Sequence, residues 1–161
     1  MAEHHYETTV TWSDLGGTRD YRGYSRAHEV AAPGRPVLEG SADRAFRGDP
    51  GRWNPELLLL AALSECHLLS YLSSCAREGV VVTRYRDAAR GTMAQSGQGG
   101  RFTEVVLRPQ VVVADAGMRA AALALHEEAH ANCFIASSVS FPVRHEASVE
   151  VGAADLVEGP A

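Results

Sequence analysis

The apolar positions of the chain change period along its length. Thr8 to Trp12 alternate in a β-favouring composition, Leu15-Gly16-Gly17-Thr18 supplies a turn, and a second strand over Tyr21 to Ala31 completes an expected opening hairpin. Pro33 to Trp53, rich in proline and glycine, predicts an irregular connection with one short strand, the kind of segment from which active-site loops are built. Asn54 then suits an N-cap, Pro55 the first helical position and Glu56 the positive end of a helix dipole. The helix should run to Glu78 and end at Gly79. Leu57 to Leu63 are apolar on every side, so this helix is expected to be enclosed all round, between a sheet and a second subunit.

Val80 to about Ala94 reads as a strand, Ser96-Gly97-Gln98-Gly99-Gly100 as a turn and Arg101 to Leu107 as the returning strand of a second, longer hairpin. Val111-Val112-Val113 continues the β pattern, Met118 to about Ala131 is helical, and Val143 to Val151 closes the sheet. The order β-β-α-β-β-α-β predicts an α+β fold with an antiparallel sheet around a central buried helix. A single domain over residues 1–161 is expected, with a frayed tail from about residue 152.

Composition narrows the partners. A net charge of -5 with arginines dispersed among acids leaves no basic stripe for nucleic acid. The amino terminus lacks the basic-then-apolar pattern of a secretory signal, which points to the cytoplasm, and Ser64, Glu65 and His67 interrupt the longest apolar run, so no membrane segment is expected. Three cysteines in a reducing compartment are free thiols, metal ligands or redox groups. Cys75 follows Cys66 by nine residues, which puts it on roughly the opposite helix face and out of disulfide reach, so it reads as core. Cys66 in the core helix and Cys133 in a later helix supply the parts for a reactive and a resolving thiol.

Asn54-Pro55-Glu56-Leu57-Leu58 with Cys66 ten residues after Glu56, Cys133 followed by Phe134-Ile135-Ala136-Ser137-Ser138-Val139, and Gly100-Arg101-Phe102-Thr103-Glu104 together resemble the OsmC/Ohr family of thiol peroxidases over essentially the whole chain. The resemblance implies an intertwined homodimer with two interfacial sites that reduces organic hydroperoxides or hydrogen peroxide. It further implies no metal or organic cofactor, and an external dithiol, lipoyl-type or another small one, as reductant. On it, Cys66 is the peroxidatic thiol, Cys133 the resolving thiol and Glu56 the acid that orients a catalytic arginine. Arg47 is the first candidate for that arginine and Arg26 the second, with Arg19 and Arg44 as the remaining choices. Ten residues put Glu56 and Cys66 about 15 Å apart on a straight helix, so the Glu56 serving a given Cys66 is expected from the other subunit unless the helix kinks.

Two other readings remain open. One is a non-catalytic ligand-binding or peroxide-sensing protein on the same scaffold. The other is a zinc site, because His126-Glu127-Glu128-Ala129-His130 has the HExxH spacing and Cys133 lies three residues beyond on roughly the same face. His67 points about 100 degrees away from Cys66 and reads as packing instead of a base for that thiol. Ser96 to Gly100 precedes a strand, so it is a hairpin turn and no phosphate cradle, and Ser64 and Ser70 lack a nucleophile elbow.

Overall fold

A computed structural model describes residues 2–152; the expected tail falls outside them apart from Gly152. The chain divides into two compact units, Met1–Leu59 and Leu60–Ala161.

In the first unit, β1 (Thr9–Thr11), β2 (His28–Ala31) and β3 (Leu38–Gly40) form an antiparallel sheet in that order. The strand expected from Tyr21 begins only at His28. Tyr21 and Tyr24 are drawn instead into a loop closed by Asp14, whose carboxylate accepts from the Gly16 and Ser25 amides at 2.7 and 2.8 Å. A second closed loop follows β3. Asp43 caps the short 3-10 turn Arg44–Phe46, its side chain accepting from the Ala45 amide and its carbonyl from Phe46 and Gly48. A β-carbon on Gly48 would lie 1.6 Å from the Ala42 carbonyl oxygen, so only glycine lets the loop close this tightly.

Helix α1 (Pro55–Arg77) starts where the sequence indicates, with the Asn54 side chain accepting from the Leu57 amide at 2.8 Å. It stops at Arg77, and Gly79 (φ +70°) supplies the left-handed turn that follows. Only one face is buried, through Leu63, His67, Tyr71, Ser74 and Cys75. Leu69 and Leu72 remain 67% and 37% exposed, so the expectation of a helix enclosed all round is not met within one chain. By length and composition α1 would suffice to cross a bilayer. Its polar positions Ser64, His67 and Ser74 are instead bonded to Asp87, His126 and Glu128 of the same unit, as in a core helix.

The second unit corrects the strand reading. Each long β run breaks in two, and the sheets are mixed, not purely antiparallel. β4 (Val82–Asp87), β7 (Pro109–Val113) and β9 (Ser148–Val151) form one sheet in the order β4-β7-β9; β5 (Arg90–Ser96), β6 (Gly99–Leu107) and β8 (Val143–His145) form another in the order β5-β6-β8. The pairs β4–β7 and β5–β6 are antiparallel, whereas β6–β8 and β7–β9 are parallel. The chain thus passes between the sheets at Ala88-Ala89, Arg108 and Glu146-Ala147. Those breaks are tied together: Asp87 accepts from the Arg108 amide at 2.6 Å, the Arg108 Nε donates to Glu146 at 2.9 Å, and the Glu146 amide donates to the Leu107 carbonyl at 2.9 Å. The Ser64 hydroxyl of α1 donates to the second Asp87 oxygen at 2.6 Å. Helix α2 (Arg119–Ala131) adds Ala122, Leu125 and Ala129 to a core with Tyr71, Cys75, Val111, Val113 and Val149.

Replacing Asp87 with alanine should cost about 2 kcal/mol, because it removes a charged acceptor and strands the Arg108 amide at a partly buried chain crossing. Urea unfolding would measure this, and a loss below about 0.5 kcal/mol would show that the crossings are held by packing alone.

Candidate functional site

Cys66 and Cys133 both belong to the second unit, and their thiols meet. Cys66 is half-buried on α1, while Cys133 is 1% exposed. Cys133 does not sit in a helix, as expected, but two residues beyond α2, in a turn where its amide donates to the His130 carbonyl. Its sulfur accepts from the Ala136 amide at 3.4 Å. Burial first, and then the hydrogen bond with Cys66, push the Cys133 thiol up to about 11, despite the opposing amides of Ala136 and Ile135. Cys133 therefore carries its proton at neutral pH. Of the two sulfurs, only Cys66 combines partial exposure with a thiol neighbour, so a reagent from solvent reaches Cys66 first.

Beside the thiols lies a cluster the sequence reading had not assembled, having taken His67 as packing and His126 and His130 as the ligands of the zinc alternative. His67, His126, His130 and His145 gather between α1, α2 and β8. His67 Nε2 and His126 Nδ1 are 3.0 Å apart, with ring planes at 4° and centroids 5.3 Å apart. That separation is the nitrogen gap plus two ring radii, so the rings are joined edge to edge by one hydrogen bond. Tyr71 stacks on His126 at 3.9 Å and 7°, and its hydroxyl donates to the Ala122 carbonyl. His145 lies 5.5, 5.9 and 5.7 Å from His67, His126 and His130. Three buried ring nitrogens, His67 Nδ1, His126 Nε2 and His130 Nδ1, have no partner among the described residues. Desolvation, reinforced by His145 and His130, lowers His67 to about 4; desolvation, with His67 and His145, lowers His126 to about 3. Both are neutral at pH 7. The available signal was His67 itself, an imidazole four residues from Leu63 and from Tyr71 on the buried face.

The same geometry dismantles the zinc alternative. His126 turns to His67 and Cys133 to Cys66, Glu128 accepts from Ser74 and Arg77, and among the described residues no three His, Cys, Asp or Glu side chains are placed to hold a metal.

The acid and the arginines belong to the first unit. Glu56 has a buried carboxylate oxygen, Oε2, without a partner among the described residues. Such an oxygen is costly unless a cation or donor meets it. Arg47 is exposed and is the only non-glycine described residue with positive φ (67°, ψ 25°), held there by the Asp43-capped loop. Strain of this kind concentrates at functional positions. Arg26 is committed elsewhere: it lies over the Tyr24 and Tyr21 rings at 3.8 and 4.9 Å and donates to both their carbonyls. Arg19 and Arg44 are exposed.

Comparison with known proteins follows the same lines. The family model for OsmC-like proteins matches residues 48–148. An OsmC-like protein of unknown function from Vibrio cholerae is 34% identical, with a TM-score of 0.81 over 91% of this chain and 100% of its own. Organic hydroperoxide resistance proteins from Elizabethkingia anophelis and Legionella pneumophila are each 17% identical, with TM-scores of 0.67 and 0.66, over 94% of this chain and 99% and 100% of theirs, and share the fold. No curated protein matches the chain.

The histidines set a pH dependence of stability. A histidine whose folded value lies below the ordinary 6.5 resists protonation when folded, so its contribution is complete above pH 6.5 and is lost as pH falls toward about 4. His67 alone should account for a loss on the order of 3 kcal/mol over that window. Urea midpoints from pH 7.5 to 4 would register it; a flat profile would place these rings in contact with water.

Proposed function

Because the chain belongs to the OsmC-like family, we propose that it is a thiol peroxidase that reduces organic hydroperoxides or hydrogen peroxide in the cytoplasm, with Cys66 as nucleophile. The observation that carries this reading is the meeting of a half-buried Cys66 with a buried, protonated Cys133. The Cys66 thiolate attacks one peroxide oxygen; the O–O bond breaks, Cys66 becomes a sulfenic acid, and the alkoxide leaves as an alcohol after taking a proton. The Cys133 thiol then displaces water from the sulfenic acid, its proton leaving with the hydroxyl, and a Cys66–Cys133 disulfide forms. An external dithiol returns both sulfurs to thiols by exchange and leaves as its own disulfide. None of these steps calls for a metal or an organic cofactor.

A thiolate in partly apolar surroundings needs a fixed cation. Arg47 fits this role best, since its guanidinium makes no ion pair among the described residues whereas Arg26 is engaged by two rings and two carbonyls. The unpartnered Glu56 oxygen supports its assignment as the orienting acid. Ten residues of helix separate Glu56 from Cys66, which favours a homodimer in which one subunit's Arg47 and Glu56 serve the other's thiols. The open side of α1 at Leu69 and Leu72, and the 80% exposed Phe134 beside Cys133, supply apolar surface for that partner.

With an organic hydroperoxide and dithiothreitol, wild type should turn over, Cys66→Ser should be inert, and Cys133→Ser should slow while Cys66 accumulates sulfinic acid. A single oxidation without turnover would indicate a sensor instead. Arg47→Gly should separate backbone from guanidinium: glycine relieves the left-handed strain, so stability holds or rises by up to about 1 kcal/mol. Turnover should nonetheless fall by roughly a hundredfold, the scale of losing one positioned charge. Retention of activity in Arg47→Gly would rule this arginine out, and sedimentation as a monomer would rule out the shared site.

A further inference from the structure

Three contacts run along the α1–α2 seam. The Tyr71 hydroxyl bonds the Ala122 carbonyl, and four residues along each helix, in opposite directions, His67 bonds His126. Next comes the thiol pair: Cys66 adjoins His67 in sequence, and Cys133 lies seven residues past His126 and three past His130. The histidine bond is therefore the contact between the Tyr71 anchor and the two sulfurs. We propose that the His67–His126 pair is an acid-releasable clamp that positions Cys133 against Cys66, so that protonation of the pair parts the two thiols and slows closure of their disulfide.

The clamp works only when the pair shares a single proton. One ring donates its N–H and the other accepts with its lone pair, leaving one N–H and one lone pair at the buried outer nitrogens. A first added proton places a charge among groups that cannot balance it. Tyr71 faces it from α1, His130 from α2 and His145 from β8; the carboxylate paired with this cluster, Glu127 of α2, is 3.5 Å from His145 Nε2 and largely exposed. Among the described residues no carboxylate is bonded to His67 or His126. A second proton sets two N–H groups facing each other. Burying an unpaired charge costs more than a partly exposed seam returns, so the seam opens and admits water. The Cys133 turn, tied to α2 through the His130 carbonyl, moves with it. His67 and His126 are positioning residues here and exchange no proton with the reacting sulfurs.

This inference rests on Cys66 and Cys133 being the reacting pair, and a dipyridyl disulfide tests both without peroxide. In a Cys75→Ala background, one thiol attacks the reagent and releases one thiopyridone; the second thiol then displaces another as the protein disulfide forms, each thiol proton leaving on a thiopyridone. The second phase is the closure rate, and mass spectrometry identifies the bond. Over the pH range in which circular dichroism reports an intact fold, loss of the attacking thiolate alone gives a tenfold fall per pH unit. Wild type should close at least tenfold faster than His126→Phe near pH 7, because the variant keeps a ring on Tyr71 but cannot bond His67, and below about pH 5 wild type should steepen toward the rate of that variant. Parallel slopes in the two proteins would overturn the clamp while leaving the thiol pair intact. Failure to form a Cys66–Cys133 disulfide at any pH would overturn the thiol pair and the clamp with it. If His126→Phe does not fold, imidazole nitrogen shifts of wild type decide: rings still neutral where closure steepens would overturn the proposal, and rings charging there would support it.

Discussion

The second unit depends on a tether at the three points where one strand leads directly into a strand of the other sheet. Asp87, Arg108 and Glu146 stand at the breaks between successive strands, and their hydrogen bonds convert three independent crossings into one. A break in a strand leaves backbone groups without ladder partners, so each crossing must find its acceptor nearby. Asp87 serves two at once, taking the Arg108 amide on one oxygen and the Ser64 hydroxyl on the other. The Ser64 bond fixes the rotation of α1 about its axis. Cys66, two residues on, takes its direction from that rotation.

What lies along the rest of α1 is a choice about how polar groups are buried. Ser74 meets Glu128 and Arg77 at the rim, where water screens the ions and the pair is worth little. His67 and His126 are fully buried and keep their place by being neutral and by bonding each other. The neighbouring sulfur obeys the same rule. Burial that disfavours an imidazolium also disfavours a thiolate, so Cys133 holds its proton, while Cys66 is the more exposed of the two sulfurs.

In the first unit the closed loops explain why a strained arginine persists. Asp43 fixes the turn through three amides and Gly48 lets it pass the Ala42 carbonyl, so the left-handed conformation of Arg47 is imposed by the loop. The loop around Tyr21, Tyr24 and Arg26 is built on a different principle, cation on ring face, which occupies its guanidinium.

The sequence by itself determined what depends on near neighbours. Asn54, Pro55 and Gly79 set the bounds of α1 because capping is local, the glycine turn set the β5–β6 hairpin, and the spacing of Glu56, Cys66 and Cys133 carried the family resemblance. Only the tertiary structure decided what depends on distant groups. The strand breaks were missed although they fall at the strand-poor Asp87-Ala88-Ala89 and Glu146-Ala147, because two or three such residues do not by themselves end a strand and the bonds that fix the breaks come from side chains of other segments. Parallel pairing of β8 and β9 likewise follows from where α2 returns the chain. The HExxH spacing pointed to a metal because spacing along a helix fixes a face but not what that face meets. His126 met His67, 59 residues away, and Cys133 met Cys66.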